Sequence, residues 1–247
     1  MRSVTAVVSS SVSMEFIPSP LGCPRTRKLR TCERPFIGRR SDLSVRRSDD
    51  LSGFATVVRV NRAHHVLCAS QYWARHVKRE LVPWGIEGVE LGDDVLEIGA
   101  GLGATTRVLT GQLDHLTLIE LEHSSAERLR SKFAPAVEVV EGDATQMPFP
   151  DGRFSAVVCF TMLHHVPSPE LQDELMSEAC RVLRPGGTFA GTDSLGGGVA
   201  FSVLHVADTF VRVPPETLAD RLRAAGLEDP VVETNATSVR FRATKPG

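Results

Sequence analysis

From Asn61 onward the chain alternates short apolar runs with amphipathic stretches. Residues 61–82 carry Val66, Leu67, Trp73, Val77 and Leu81 at helical spacing, and Pro83 and Gly85 break that pattern. Residues 91–94 read as a turn, and 95–98 as a short buried strand that runs into Gly99-Ala100-Gly101-Leu102-Gly103. The spacing predicts helices over 104–112, 124–133, 169–184 and 215–225, and strands over 116–120, 137–141, 155–160 and 188–192. On the helix at 169–184, Leu171, Leu175, Ala179 and Val182 share one face, and Pro185-Gly186-Gly187 stops it. Gly226 suits the residue just past the last helix. Apolar runs at 231–233 and 239–243 close the chain as strands. Strands alternating with helices imply parallel pairing in a doubly wound α/β sheet with helices on both faces. Right-handed crossovers then place the first strand centrally. Ligands of such sheets bind at the carboxyl ends of the strands, where the strand order reverses. Chemistry is therefore expected just after each strand.

Charge changes the picture at the N-terminus. The chain of 247 residues carries a formal net charge of -2. Residues 1–50 hold 10 Lys+Arg against 5 Asp+Glu, and the remaining 197 hold 18 against 25. A basic segment therefore precedes an acidic body. Residues 1–55 are rich in Ser, Arg and Pro and hold no lasting period, which predicts an extension too poor in apolar surface to order itself. The globular domain is expected over 56–247. The extension's Arg-rich, acid-poor character also resembles an organellar transit peptide, the alternative to a cytoplasmic location. The five cysteines are scattered, with no CxxC, so neither a disulfide framework nor a zinc site is expected. His64 and Cys68 lie four apart, but two ligands without a third make no metal site. No run approaches the ~20 apolar residues of a membrane span. The acidic body opposes broad phosphate-backbone binding, so nucleic acid would have to use the basic extension.

The glycine segment after the first strand lets the backbone turn tightly and lets a ligand approach it closely. Gly99, Gly101 and Ala104 also satisfy the dinucleotide fingerprint, so the loop alone leaves two cofactor classes open. Glu120 ends the second strand, where a carboxylate can accept from ribose hydroxyls, and it suits either class. Gly142-Asp143-Ala144 follows the third strand, where a carboxylate and an adjacent N–H can read an adenine edge. Phe154–Val158 opens the fourth strand, and Arg181-Val182-Leu183-Arg184-Pro185-Gly186-Gly187-Thr188-Phe189 leads into the fifth.

Together these blocks resemble the class I S-adenosylmethionine-dependent methyltransferases, in particular the small single-domain group that includes the ubiquinone/menaquinone-biosynthesis C-methyltransferases. The resemblance implies a Rossmann-like, mostly parallel seven-stranded sheet with an antiparallel last strand pair. It implies that Glu97, Gly99 and Gly101 hold the methionine part of the cofactor. It assigns Glu120 to the ribose, Asp143 and Ala144 to the adenine edge, and Phe160 and Thr161 to the methyl end. The family more often has Asp where this chain has Glu120. The physics agrees: the cofactor is a cationic sulfonium without phosphates, so acidic residues suit it, whereas a dinucleotide needs backbone donors.

Methyl transfer is an in-line displacement at an already activated carbon, so a general base is needed only where the acceptor keeps its proton. Candidates at the active face are His164, His165, Asp193, His205 and Asp208. His205 and Asp208 are three apart on an expected helix and so share a face. In the family, pieces such as 61–82 and 194–214 form a lid over the substrate. Residues 199–211 are apolar enough to line a pocket, to pack as core, or to form a homodimer face. The expected partner is a small methyl acceptor with an apolar body, with no nucleic acid. A binding module without turnover, and a nucleic-acid methyltransferase using the basic extension, are the alternatives.

Overall fold

The computed structural model describes residues 61–196 and 208–247. The extension 1–55 and much of the 194–214 insert, with Phe201, Leu204 and His205, lie outside the described residues. Seven strands form one sheet: β1 Asp94–Ile98, β2 His115–Glu120, β3 Glu138–Glu141, β4 Phe154–Phe160, β5 Leu183–Ser194, β6 Glu228–Thr234 and β7 Ser238–Thr244. Their order is β3-β2-β1-β4-β5-β7-β6. The first five pair in parallel, and β7 pairs antiparallel with both β5 and β6. The expected doubly wound sheet with an antiparallel last pair is therefore the observed one.

Burial explains the sequence pattern of the strands. β1 and β4 are buried almost throughout, because helices cover both faces of a parallel sheet. Successive side chains alternate between the two faces. Leu96, Ile98, Val157, Cys159 and Phe189 pack into one core with Leu175 and Met176 of α6 (Pro169–Val182) and Leu218 and Leu222 of α7 (Pro215–Ala224). Val95, Ala156, Val158 and Phe160 pack into the other, with Leu109 of α4 (Ala104–Leu109) and Leu129 of α5 (His123–Phe133). β7 alternates buried and half-buried positions.

The stretch expected as one helix over 61–82 is divided. Asn61 caps α1 (Arg62–Cys68) by accepting from the His64 N–H at 2.9 Å. Ser70 caps α2 (Gln71–His76) by accepting from the Trp73 N–H at 3.1 Å. Each cap starts a new helix because it satisfies otherwise unpaired first-turn donors. Pro83 does not stop the pattern. A π-helical turn, Val77–Leu81, leads into α3 (Val82–Gly85), which contains it. The widened turn takes the Val82 N–H back to the Val77 carbonyl, just before the residue that has no N–H to give.

Two more boundaries differ from expectation. α6 ends at Val182, and β5 begins at Leu183 rather than 188. Between Phe154↔Leu183 and Ala156↔Thr188 the β4–β5 register shifts, so Arg184–Gly187 bulge out of that pairing, while the Lys245 backbone, just past β7, accepts the Gly186 N–H and donates to the Gly187 carbonyl. Residues 208–214 are not helical, and the part of the expected helix that carries His205 lies outside the described residues.

The bulge gives the Arg181–Gly187 motif a structural meaning. The Arg181 guanidinium donates to the Met147 and Phe149 carbonyls and to the Glu178 and Asp151 carboxylates. Arg184 donates to the Arg153 carbonyl and to Asp93. All of this lies at the amino ends of β4 and β5, the edge opposite the ligand side of such a sheet. Replacing Arg181 by Met is expected to lower unfolding stability by about 1.5–3 kcal/mol, the usual range for hydrogen bonds to a charged group. Urea unfolding measures this, and ligand affinity should be unchanged.

Candidate active site

The chain builds β1, β2 and β3 outward in one direction and then returns to add β4 on the other side of β1. The carboxyl ends of β1 and β4 therefore meet where the order reverses. A cavity of about 1470 Å³ opens there. One ligand ordinarily occupies ~300–1,000 Å³, so this space accommodates two molecules side by side.

One half of the cavity is lined by Gly99, Gly101, Glu120, Asp143 and Ala144. Gly101 has φ 54°, and a Cβ built there would meet nothing within 4 Å, so the backbone itself faces open space. Glu120 Oε2 accepts the Gly101 N–H at 3.0 Å, which ties the end of β2 to the glycine loop. Burial raises the Glu120 carboxyl above its ordinary value, opposed by the backbone donors it accepts. Asp143 is exposed, and its Oδ1 accepts from the Thr145 N–H at 2.8 Å and the Thr145 hydroxyl at 2.9 Å. It shapes its own turn with one oxygen and keeps the other as an acceptor position.

Glu97 is placed differently. It is buried, is not among the cavity-lining residues, and accepts from the Thr105 and Thr106 hydroxyls at the start of α4. Its carboxyl holds the glycine loop onto the helix that follows. Burial pushes this carboxyl up to about 7 from an ordinary 4.5, and the nearby Glu120 charge adds to the rise, while the two hydroxyls oppose it.

Phe160, Thr161 and Met162, at and just after the end of β4, also line the cavity. Thr161 has φ 48°, unusual for a β-branched residue, and its N–H donates to the Thr192 carbonyl at 2.7 Å. A Cβ on Gly99 would lie 2.3 Å from Met162 Cγ, so the glycine loop and the post-β4 segment approach as closely as glycine allows.

The other half is lined by Leu67, Trp73 and Leu81 from the N-terminal helices and by Leu171 and Leu175 from α6, with His64, His164 and His165. The candidate acids and bases pair in ways the spacing did not show. Asp193 lies within β5 and is fully buried, and its partner is His164 rather than His165, with Nδ1 and Oδ1 2.5 Å apart. His165 instead meets the Thr209 carbonyl at 3.2 Å. Asp208 pairs with His64 at 2.8 Å and accepts from the Asn61 N–H at 2.5 Å, which fastens α1 over the cavity. His64 and Asp208 stand 144 positions apart, so no local spacing could have joined them. Burial and the Asp208 charge raise the Cys68 thiol to about 11, which keeps it protonated and inert. Among the described residues no group of three or more His, Cys, Asp or Glu could hold a metal.

Comparison with known proteins follows the same outline. Residues 96–191 match the family described as a methyltransferase domain. The chain is similar to a fatty-acid O-methyltransferase of Mycolicibacterium smegmatis, 37% identical over 42% of this chain and 38% of that protein. It is also similar to a ubiquinone/menaquinone biosynthesis C-methyltransferase of Bartonella bacilliformis, 31% identical over 45% of each. The fold is shared with phosphoethanolamine N-methyltransferase 2 of Haemonchus contortus, solved with phosphomonomethylethanolamine and S-adenosylhomocysteine: TM-score 0.56, 15% identity, 76% of this chain and 61% of that one. The chain spans less than half the length of these curated relatives. Over residues 96–191 the match to a methyltransferase domain agrees with the resemblance of the sequence motifs to the class I S-adenosylmethionine-dependent methyltransferases.

The raised Glu97 carboxyl has a measurable consequence. Between pH 4.5 and about 7 the folded chain holds a proton that the unfolded chain has released, so this group's contribution to stability falls as pH rises through that window. Glu97→Gln keeps an acceptor oxygen for a threonine and removes the titration. The stability of the native chain relative to this variant should fall across the window by on the order of 3 kcal/mol, at ~1.4 kcal/mol per pKa unit. Urea midpoints of both proteins as a function of pH measure the difference.

Proposed function

We propose that this chain transfers a methyl group from S-adenosylmethionine to a small molecule with an apolar body. The observation that carries this reading is one continuous cavity with two chemically distinct halves. The strand-end half suits the cofactor: open space over Gly101 and carboxylates at Glu120 and Asp143. When bound, S-adenosylmethionine supplies a methyl carbon activated by its sulfonium.

In this reading Glu120 accepts from the ribose hydroxyls and Asp143 from the adenine amino group, with the Ala144 N–H beside it. Glu97 acts through the loop, holding Gly99 and Gly101 in place. Phe160 and Thr161 close on the methyl end. The apolar half, lined by Leu67, Trp73, Leu171 and Leu175, takes the body of the acceptor and excludes water. The fatty-acid and quinone-pathway relatives are named for acceptors or products of that kind. No helix among the described residues is long and apolar enough to cross a membrane, and a cytoplasmic location forms part of this proposal.

Calorimetry with S-adenosylmethionine and its demethylated product is expected to show binding of both, and absence of both would refute the reading. Asp143→Asn retains an oxygen for the Thr145 turn and exchanges the other acceptor for a donor. It should weaken cofactor binding by about 1–3 kcal/mol, the cost of a lost buried hydrogen bond. Unchanged affinity would refute the assignment of Asp143.

A further inference from the structure

We propose that the outer face of the N-terminal helices docks on an anionic lipid bilayer, from which the acceptor enters the cavity. The supply of the acceptor rests on the methyl-transfer reading above; the docking does not.

Charge is divided along the chain more sharply than the extension alone shows. Residues 1–82 hold 15 Lys+Arg against 6 Asp+Glu, and residues 83–247 hold 13 against 24. Residues 62–82 themselves carry Arg62, Arg75, Lys78 and Arg79 against Glu80 alone, and Glu80 stands 3.3 Å from His76. The segments outside the described residues do not reverse this balance: 1–60 is net basic, and 197–207 holds no Asp, Glu, Lys or Arg.

α2 and the π turn sort their residues onto two sides. Trp73 and Leu81 line the cavity, and Val77 is buried in the core beside them. Tyr72, Arg75, Lys78 and Arg79 are exposed. Positions three and four apart are neighbours on a helix, so Tyr72, Arg75 and Arg79 form one outer stripe. The ion pairs of the described residues engage Arg130, Arg153, Arg181, Arg184 and Arg240 on the body, and none of those pairs involves Arg75, Lys78 or Arg79. α4 packs against the π turn and adds the exposed Arg107.

Apolar groups stand among these cations. Tyr72 is 74% exposed and Val66, on α1, is 69% exposed, the two most exposed large hydrophobic side chains of the described residues. A second copy of the chain would set the cations of this face against themselves. A nucleic acid would satisfy the cations and leave Val66 without a partner. An anionic bilayer takes both: the cations meet lipid phosphates and carboxylates, the tyrosine ring lies at headgroup level, and the valine reaches the acyl boundary. The inner side of the same helices lines the apolar half of the cavity with Leu67 and Trp73. An acceptor with an apolar body then passes from lipid to cavity without crossing bulk water.

The test sediments the full chain with vesicles of phosphatidylcholine alone and of phosphatidylcholine mixed with phosphatidylserine. Wild type is expected to partition onto the mixed vesicles and not onto the neutral ones. The triple variant Arg75→Ser/Lys78→Ser/Arg79→Ser should partition about 100-fold less, the usual effect of three charges near an anionic surface. Arg25→Ser/Arg27→Ser/Lys28→Ser removes as many charges from the extension and should bind as wild type does. Val66→Ser/Tyr72→Ser should lose the fraction of binding that survives high salt. Calorimetry should give all variants the same cofactor affinity, which shows that they fold. Wild-type partitioning by the Arg75/Lys78/Arg79 variant, a loss confined to the extension variant, or equal binding to both vesicles overturns the docking. So does binding of RNA through these cations with no vesicle binding. With S-adenosylmethionine carrying a 13C-methyl group and vesicles loaded with the apolar fraction of a cell extract, label should enter faster from the mixed vesicles, and the Arg75/Lys78/Arg79 variant should lose that advantage. Equal rates overturn the supply of the acceptor from the bilayer. Vesicle binding without any label refutes the methyl-transfer reading and leaves the docking standing.

Discussion

The parallel pairing of β1 with β4, covered on both faces, is the constraint from which the rest follows. Strands buried on both faces must be apolar along nearly their whole length. Polar groups are thereby displaced to the strand ends. At the amino ends they become the Arg181 and Arg184 clamps. At the carboxyl ends they become Glu120, Asp143 and the residues after β4. The cavity exists because the chain changes direction between these two strands and no crossover covers the gap.

The polar side chains that remain inside the sheet are therefore informative. Glu97 and Asp193 are both almost fully buried, and each is tied to a segment that follows a strand. Glu97 holds the start of α4 through two threonine hydroxyls. Asp193 holds the turn after β4 through a backbone N–H and an imidazole. One carboxyl thus organises the glycine loop after β1, and the other fixes the turn after β4, both at the edge of the cavity.

Much of this was legible in advance. The strands and the helices between them follow from period, and the glycine loop, Glu120 and Asp143 follow from their positions after strands. The motif from Arg181 to Gly187 was the most distinctive feature of the sequence, yet it works at the opposite edge of the sheet, where it locks a loop and a bulge. A motif can identify a fold through its structural needs while touching none of its chemistry. The helix expected over 61–82 was misread for local reasons: two caps and a π turn divide it without interrupting its apolar period.

By itself, the sequence determined which segments are strands, which are helices, and which residues stand at strand ends, because burial period and turn chemistry are local. It also pointed to the cofactor class, through ordered motifs. The tertiary structure alone decided which acid meets which histidine. His164 with Asp193 and His64 with Asp208 join segments separated by 29 and 144 positions. Such pairings depend on strand order and on where the N-terminal helices fold back, and no periodicity along the chain encodes them.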